Sequence, residues 1–237
     1  MLNRLSKIPW KAIPTWIVGD RLRILMYHSI SENPNDPHAI SPKEFESQMK
    51  WLQTKSVIPL AEGQVLLKSG DQLKNKWVIT FDDGLLDFYT SALPVLRQFD
   101  YPVTMFLPVG LIGSTSIWDS YDKNKPLMTW TQIESCQQSK VTFGSHSLNH
   151  TRLTECSERQ LEEECQKSIE ILESRLTNTI SALAYPGGYN NKIVQQAAQN
   201  AGYICGLGAA SRWGNGRDTN VYELRRERIK TWQIFRF

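Results

Sequence analysis

Val78-Ile79-Thr80-Phe81-Asp82-Asp83-Gly84 carries four residues suited to a buried strand straight into two adjacent carboxylates and a glycine. A buried parallel strand reads as a short apolar, β-branched run, and turn chemistry at its end marks where it leaves the sheet. The carboxylates therefore stand where an α/β fold places its active site, at the carboxyl end of a strand. Two like charges side by side are costly unless something positive compensates them or one stays protonated. Further along, Gly144-Ser145-His146-Ser147-Leu148-Asn149-His150 offers two histidines after another short apolar run. Two histidines and one carboxylate, with a second carboxylate to spare, suit an open catalytic site for a divalent metal.

Working outward, residues 23–30 read as a first strand ending at Tyr27-His28, and 31–40, with Pro34, Asn35, Asp36 and Pro37, as a loop. Ser41-Pro42-Lys43-Glu44 combines a serine cap, a proline at the first helical position and an acid in the first turn, so a helix starts there. Short strands are expected over 57–60, 103–109, 141–144, 182–185 and 203–207, with a last one ending near Ile229. Helices are expected from Gly84 to about Phe99 with a kink at Pro94, then over 130–139, 157–176 and 191–201. Strands alternating with helices imply βα units and a parallel sheet, and periodicity alone leaves an open sheet and a barrel equally open.

The chain of 237 residues is long enough for one α/β barrel with a full core. A net charge of +3, scattered along the chain, gives no case for nucleic acid. The four cysteines, Cys136, Cys156, Cys165 and Cys205, form no C-x-x-C pair, so free buried thiols are expected, with a Cys156–Cys165 bridge as the lesser reading. Residues 1–20 contain no uninterrupted apolar core and no small-residue cleavage site, so no secretory signal is read there, and no run is long enough to span a bilayer. The expected location is cytoplasmic or peripheral to a membrane. Trp10, Ile13, Trp16 and Ile17 among basic residues have the composition of an interfacial anchor, but Pro9 and Pro14 interrupt any helix, so a packed N-terminal arm over 1–20 is the simpler expectation.

Thr80-Phe81-Asp82-Asp83-Gly84 followed by His146-Ser147-Leu148-Asn149-His150 resembles the first two motifs of the polysaccharide deacetylase family (NodB homology, carbohydrate esterase 4). Leu25-Met26-Tyr27-His28-Ser29-Ile30 and Ala184-Tyr185-Pro186-Gly187-Gly188 resemble the branch of poly-N-acetylglucosamine deacetylases. The resemblance implies a distorted (β/α)7 barrel over 21–237 and hydrolysis of N-acetyl groups on an N-acetylated glycan. It gives Asp83, His146 and His150 to the metal, with zinc the default and cobalt, nickel or iron also suited. Asp82 takes the place of the general base. No histidine follows His150, so the family's C-terminal acid is missing, and His28 matches the histidine thought to replace it in this branch. A neighbouring carboxylate is expected to keep His28 protonated.

Pro186-Gly187 matches the third motif, whose main-chain N–H after the proline helps to hold the oxyanion. Glycine at 187 keeps that N–H and drops the aromatic side chain often found there. The arginine that orients the base has no counterpart before Tyr185; Arg225 and Arg226 are the candidates from the last strand. Tyr185, Pro186, Trp118 and Trp213 are expected to contact the sugar, and His38 is expected to be solvated in its Pro-rich loop. Two rival readings stay open: a deacylase of a glycolipid or small amide on the same fold, and a metal-containing carbohydrate binder without turnover. The oligomeric state, acyl group and linkage are not legible.

Overall fold

The computed structural model describes residues 20–118, 124–210 and 214–229. In chain order its strands are β1 (Arg23–Tyr27), β2 (Ser29–Ile30), β3 (Ala39–Ile40), β4 (Ser56–Val57), β5 (Lys76–Phe81), β6 (Val103–Leu107), β7 (Val141–Ser145), β8 (Ala182–Ala184), β9 (Cys205–Ala210) and β10 (Leu224–Arg228). The helices are α1 (Pro42–Leu52), α2 (Leu60–Ser69), α3 (Leu93–Gln98), α4 (Trp130–Cys136), α5 (Glu158–Arg175) and α6 (Lys192–Asn200). β1 pairs in parallel with β5 on one edge and β10 on the other, and the parallel ladder from β5 through β6, β7, β8 and β9 to β10 closes the ring. This is the expected seven-stranded barrel. β4 stands outside the ring, paired with Lys76 and Trp77 at the start of β5. The distortion is local: β7 and β8 share the single register pair Ser145↔Leu183, and the β9–β10 register shifts between Leu224 and Arg226.

Strand alternation sorts the side chains. Ile24, Val78, Phe106, Ala182, Ala184, Cys205, Leu207 and Leu224 fill the inside of the barrel as one buried cluster. Leu25, Tyr27, Ile79 and Phe81 face outward into a second buried cluster, which also contains Phe45 and Met49 of α1, Leu93 of α3 and Leu161 and Leu172 of α5. Continuing the inward period of two toward the carboxyl ends leads from Ile24 to Met26 and His28, from Val78 to Thr80 and Asp82, and from Leu224 to Arg226 and Arg228. All but Thr80 of these upper residues border one cleft at the mouth. Gly144 is required below it, because a Cβ there would stand 2.5 Å from the Phe106 ring that plugs the interior.

The helix ends follow their sequence signals. Ser41 caps α1 by accepting from Glu44 N at 3.2 Å, and Thr129 and Ser157 form reciprocal capping boxes with Gln132 and Gln160 at α4 and α5. Asn191 caps α6 through Val194 N at 3.0 Å. Three expectations need correction. Leu60 is the first residue of α2, which the sequence reading missed, since Pro59 ends the short strand and opens that helix. The loop over 31–40 contains β3, which pairs in parallel with β2. Ahead of Pro94 the chain makes a π turn, Phe88–Ala92, in which Leu93 N bonds Phe88 O. Proline lacks the N–H that would have continued an α-helical ladder there.

All four cysteines are free, and three of them are buried. No helix among the described residues is long and apolar enough to cross a membrane. The arm over 1–19 and Trp213 lie outside the described residues.

Candidate metal centre and active cleft

Asp83 follows β5 in the left-handed region, φ 73°, and Gly84 stays there at φ 64°. Two successive left-handed residues turn the chain sharply out of the barrel, and aspartate is among the side chains that tolerate this region best. The turn sends Asp82 and Asp83 to different partners. Asp82 accepts from both terminal guanidinium nitrogens of Arg226, Nη1 to Oδ1 at 2.6 Å and Nη2 to Oδ2 at 2.8 Å, with both residues almost wholly buried. Arg226 Nε donates to Gly208 O at 3.1 Å, and the guanidinium lies 5.6 Å from the centre of the Phe106 ring. Burial raises the Asp82 pKa, but the Arg226 charge and hydrogen bonds outweigh it and hold the carboxyl below its ordinary range. Arg225 points elsewhere, its main chain pairing with the Asn215 side chain, as the period of two demands.

Asp83 Oδ1 faces His150 Nε2 at 3.2 Å and His146 Nε2 at 3.5 Å. It is buried and accepts no hydrogen bond. One ligand atom from each of Asp83, His146 and His150 lies within 4.8 Å of the other two. A tetrahedral centre with bonds of about 2.0–2.2 Å spaces its ligand atoms by roughly 3.3–3.6 Å, close to the 3.5 and 3.2 Å from Asp83 to the two imidazoles, so the donor set suits one zinc-sized ion. His146 Nδ1 donates to Ala184 O at 2.7 Å, which leaves Nε2 as the free lone pair. Burial pushes the His146 pKa down to about 4, so the ring is neutral, the form that ligates. For Asp83, burial raises the pKa, and the imidazoles facing it lower it further than burial can raise it.

The His146–His150 segment is a loop, not a helix. Ser147 and His150 are left-handed at φ 63° and 55°, and the two imidazoles stand 4.8 Å apart, nearly perpendicular. Glu164 of α5 holds this loop from below, a residue the sequence reading missed. Its carboxylate accepts from Leu148 N and Asn149 N at 2.9 Å, Asn149 Nδ2 at 2.8 Å and Thr151 Oγ1 at 3.0 Å. The signal was present: Glu164 falls three residues after Leu161 and one before Cys165, on the buried stripe of α5 rather than on its exposed acidic face. Glu164→Gln, which replaces one acceptor oxygen with a donor, is expected to weaken metal affinity about tenfold, read by competition with a chelating dye. Unchanged affinity would mean that the loop holds its shape without Glu164.

His28 Nε2 lies 4.0 Å from Asp82 Oδ2, and the same oxygen is 4.0 Å from His146 Nε2. The expectation that a carboxylate keeps His28 protonated does not hold. Burial lowers its pKa, and Arg226 and Arg228 add to that against the pull of Asp83 and Asp82. His38 is not simply solvated: its ring stands 4.7 Å from that of His28, it borders the cleft beside Arg228, and burial pushes its pKa down to about 3.

The cleft measures about 270 Å³. Gly187 and Gly188, both left-handed, border it together with Tyr185, Tyr189, Trp118 and Lys125. Trp118 stacks on His150 with centroids 3.9 Å apart. Tyr185 is fully buried and its hydroxyl donates to Tyr222 O at 2.9 Å, so it serves as a wall. Pro186 is buried and is not among the residues bordering the cleft.

Comparison with known proteins points the same way. Residues 69–206 match the family model described as polysaccharide deacetylase. YxkH of Bacillus subtilis (strain 168) is 32% identical over 224 residues, covering 90% of this chain and 74% of the relative. The poly-beta-1,6-N-acetyl-D-glucosamine N-deacetylase of Staphylococcus aureus (strain MRSA252) is 26% identical over 190 residues, covering 78% of this chain and 65% of the relative, so the chain spans about two thirds of that protein. Among solved structures, the Streptococcus pyogenes deacetylase PplD in complex with acetate superposes with a TM-score of 0.78 at 26% identity, covering 90% of this chain and 93% of that one. With an aspartate pair divided between an arginine and two histidines at the mouth of a seven-stranded barrel, the chain belongs to the polysaccharide deacetylase family.

Proposed function

We propose that the protein is a metal-dependent deacetylase that removes N-acetyl groups from a glycan rich in N-acetylglucosamine. The observation that carries this reading is the division of labour between the two aspartates: Asp83 is turned toward two imidazoles, while Asp82 is locked on Arg226 with its Oδ2 also facing His28 and His146. The substrate class comes from the staphylococcal relative, whose name gives poly-beta-1,6-N-acetyl-D-glucosamine. Asp83, His146 and His150 would hold the metal, with zinc the first choice for two imidazoles and a carboxylate. Such an ion supplies a nucleophilic water at neutral pH and polarises the amide carbonyl.

The chain's own groups do the rest. Asp82, kept ionised by Arg226, takes the proton of the attacking water. The Gly187 N–H donates to the oxygen that becomes negative. His28 returns a proton to the departing amine. Neutral at rest, it acquires that proton within the cycle, and Asp82, which has taken the water proton and whose Oδ2 stands 4.0 Å from His28 Nε2, is its source. The arginine that has no counterpart before Tyr185 is supplied by Arg226 from the last strand, which orients Asp82 as a base requires.

The test is acetate release from N-acetylglucosamine oligomers by metal-loaded protein. Release is expected to stop on chelation and to return when zinc is restored. Release that persists in metal-free protein would exclude the metal mechanism, and no release from loaded protein would exclude the glycan.

A further inference from the structure

Tyr189 is not absorbed by the chemistry above, and its placement is unusual. It is the one aromatic among the exposed large hydrophobic side chains of the described residues, 51% accessible, and it borders the cleft. A single exposed apolar side chain is ordinary; what distinguishes this one is that it stands on the rim of the cleft that holds the candidate metal ligands.

Its ring is nevertheless held in place. The guanidinium of Arg152 lies 4.2 Å from the ring centre, and Arg152 Nη1 is itself fixed by donating to Glu155 Oε1 at 2.7 Å. Arg152 follows His150 by two residues, so this contact ties Tyr189 to the loop that carries two candidate metal ligands. The ring also lies against Gly187: a Cβ built there would stand 2.8 Å from two of its carbons, Cδ2 and Cε2. Gly187 is also left-handed, so a side chain at 187 would be both strained and blocked by the Tyr189 ring.

We propose that Tyr189, backed by Arg152, is the platform on which the sugar unit carrying the reactive amide lies. A pyranose presents a flat patch of C–H groups that packs on an aromatic face while its hydroxyls stay in water. Tyrosine suits this use, since it offers a rigid amphipathic surface at small entropic cost. Contact between the ring and Gly187 sets the platform beside the N–H proposed to meet the oxyanion, so a sugar seated on Tyr189 delivers its own acetamido group to the metal position. Arg152 acts as a positioning residue that stops the ring from swinging into solvent.

The inference rests on the deacetylase reading, and the experiment separates the two. Calorimetry of metal-loaded full chain with N-acetylglucosamine oligomers gives Kd, and acetate release on the same preparations gives turnover. Tyr189→Ala is expected to weaken Kd about tenfold, Tyr189→Phe to stay near wild type, and Arg152→Gln to weaken Kd about threefold. Because Tyr189 is half in solvent, its truncation leaves the fold intact, checked by melting temperature. Equal Kd for Tyr189→Ala and wild type overturns the platform even if acetate is released. A Kd that depends on Tyr189 without any acetate release keeps the platform and removes the deacetylase. Wild-type protein that binds no oligomer overturns both.

Discussion

Asp82→Asn is expected to lower acetate release from N-acetylglucosamine oligomers by roughly 10²–10⁴-fold, the usual range for loss of a general base, while the protein keeps its metal. The expectation follows from how the two neighbouring carboxylates are separated. Asp83 is the residue turned toward His146 and His150, so changing Asp82 leaves the ligand atoms in place. Asparagine matches the shape of aspartate but cannot take a proton, and it presents an N–H₂ group to a guanidinium that already consists of donors. A stability loss of about 3–5 kcal/mol accompanies the change, since the buried Arg226 guanidinium loses its counter-charge and one hydrogen-bond acceptor. Metal content by elemental analysis and melting temperature distinguish lost chemistry from lost structure. His28→Ala serves as the contrast: it leaves the Asp82–Arg226 pair untouched, so its rate loss comes without the same stability loss. Wild-type turnover in metal-loaded Asp82→Asn would remove Asp82 from the chemistry.

Much of the fold was legible because a parallel strand buried on both faces writes itself as a short apolar run. The segments around Val78, Val103, Val141 and Ala182 do this, and they became β5, β6, β7 and β8. The capped helices were legible for an equally local reason, since Ser41, Ser157 and Asn191 stand within three residues of the groups that they satisfy. Closure of the barrel was not legible from pattern. The β1–β5 ladder is a long-range pairing with no local signature, and only the resemblance anticipated it. The helix at Leu60–Ser69 was missed because its core face is weak: two of its four buried residues are Gly63 and Gln64.

The same divide runs through the site. Asp82, Asp83, His146 and His150 could be picked out because each motif is contiguous. The partners that set their states lie far off in the chain: Arg226 is 144 residues from Asp82, Ala184 is 38 from His146, and Glu164 is 15 from Asn149. The protonation of His28 went wrong for a related reason. Sequence shows that carboxylates are near in motif terms, but burial is a sum over the whole fold, and here it dominates the attraction of Asp82 and Asp83.

The Asp82–Arg226 pair makes the second large prediction. Arg226 is among the largest fully buried side chains, and its charge is neutralised by Asp82 with bidentate geometry. Arg226→Met removes one partner and leaves a buried carboxylate, which is expected to cost about 3–5 kcal/mol in urea unfolding at neutral pH. The cost must depend on pH in a defined sense. In wild type the folded pKa of Asp82 lies below its unfolded value of about 3.9, so the pair stabilises above that value and its contribution fades as pH falls through the folded pKa. In Arg226→Met only burial and the weaker pull of the histidines remain, the folded pKa rises, and protonation relieves the variant as pH falls. The stability gap between the two proteins therefore narrows toward acid. For the same reason the acid limb of kcat/KM moves to higher pH in the variant, since the base is protonated sooner. Asp82→Asn/Arg226→Met removes both charges and is expected to recover most of the stability at neutral pH without recovering turnover, because a buried ion pair contributes little beyond what neutral packing can replace. A gap that stays constant with pH, or a double variant no more stable than Arg226→Met, would show that Arg226 supports the barrel through packing on Phe106 and its bond to Gly208 O rather than through the charge of Asp82.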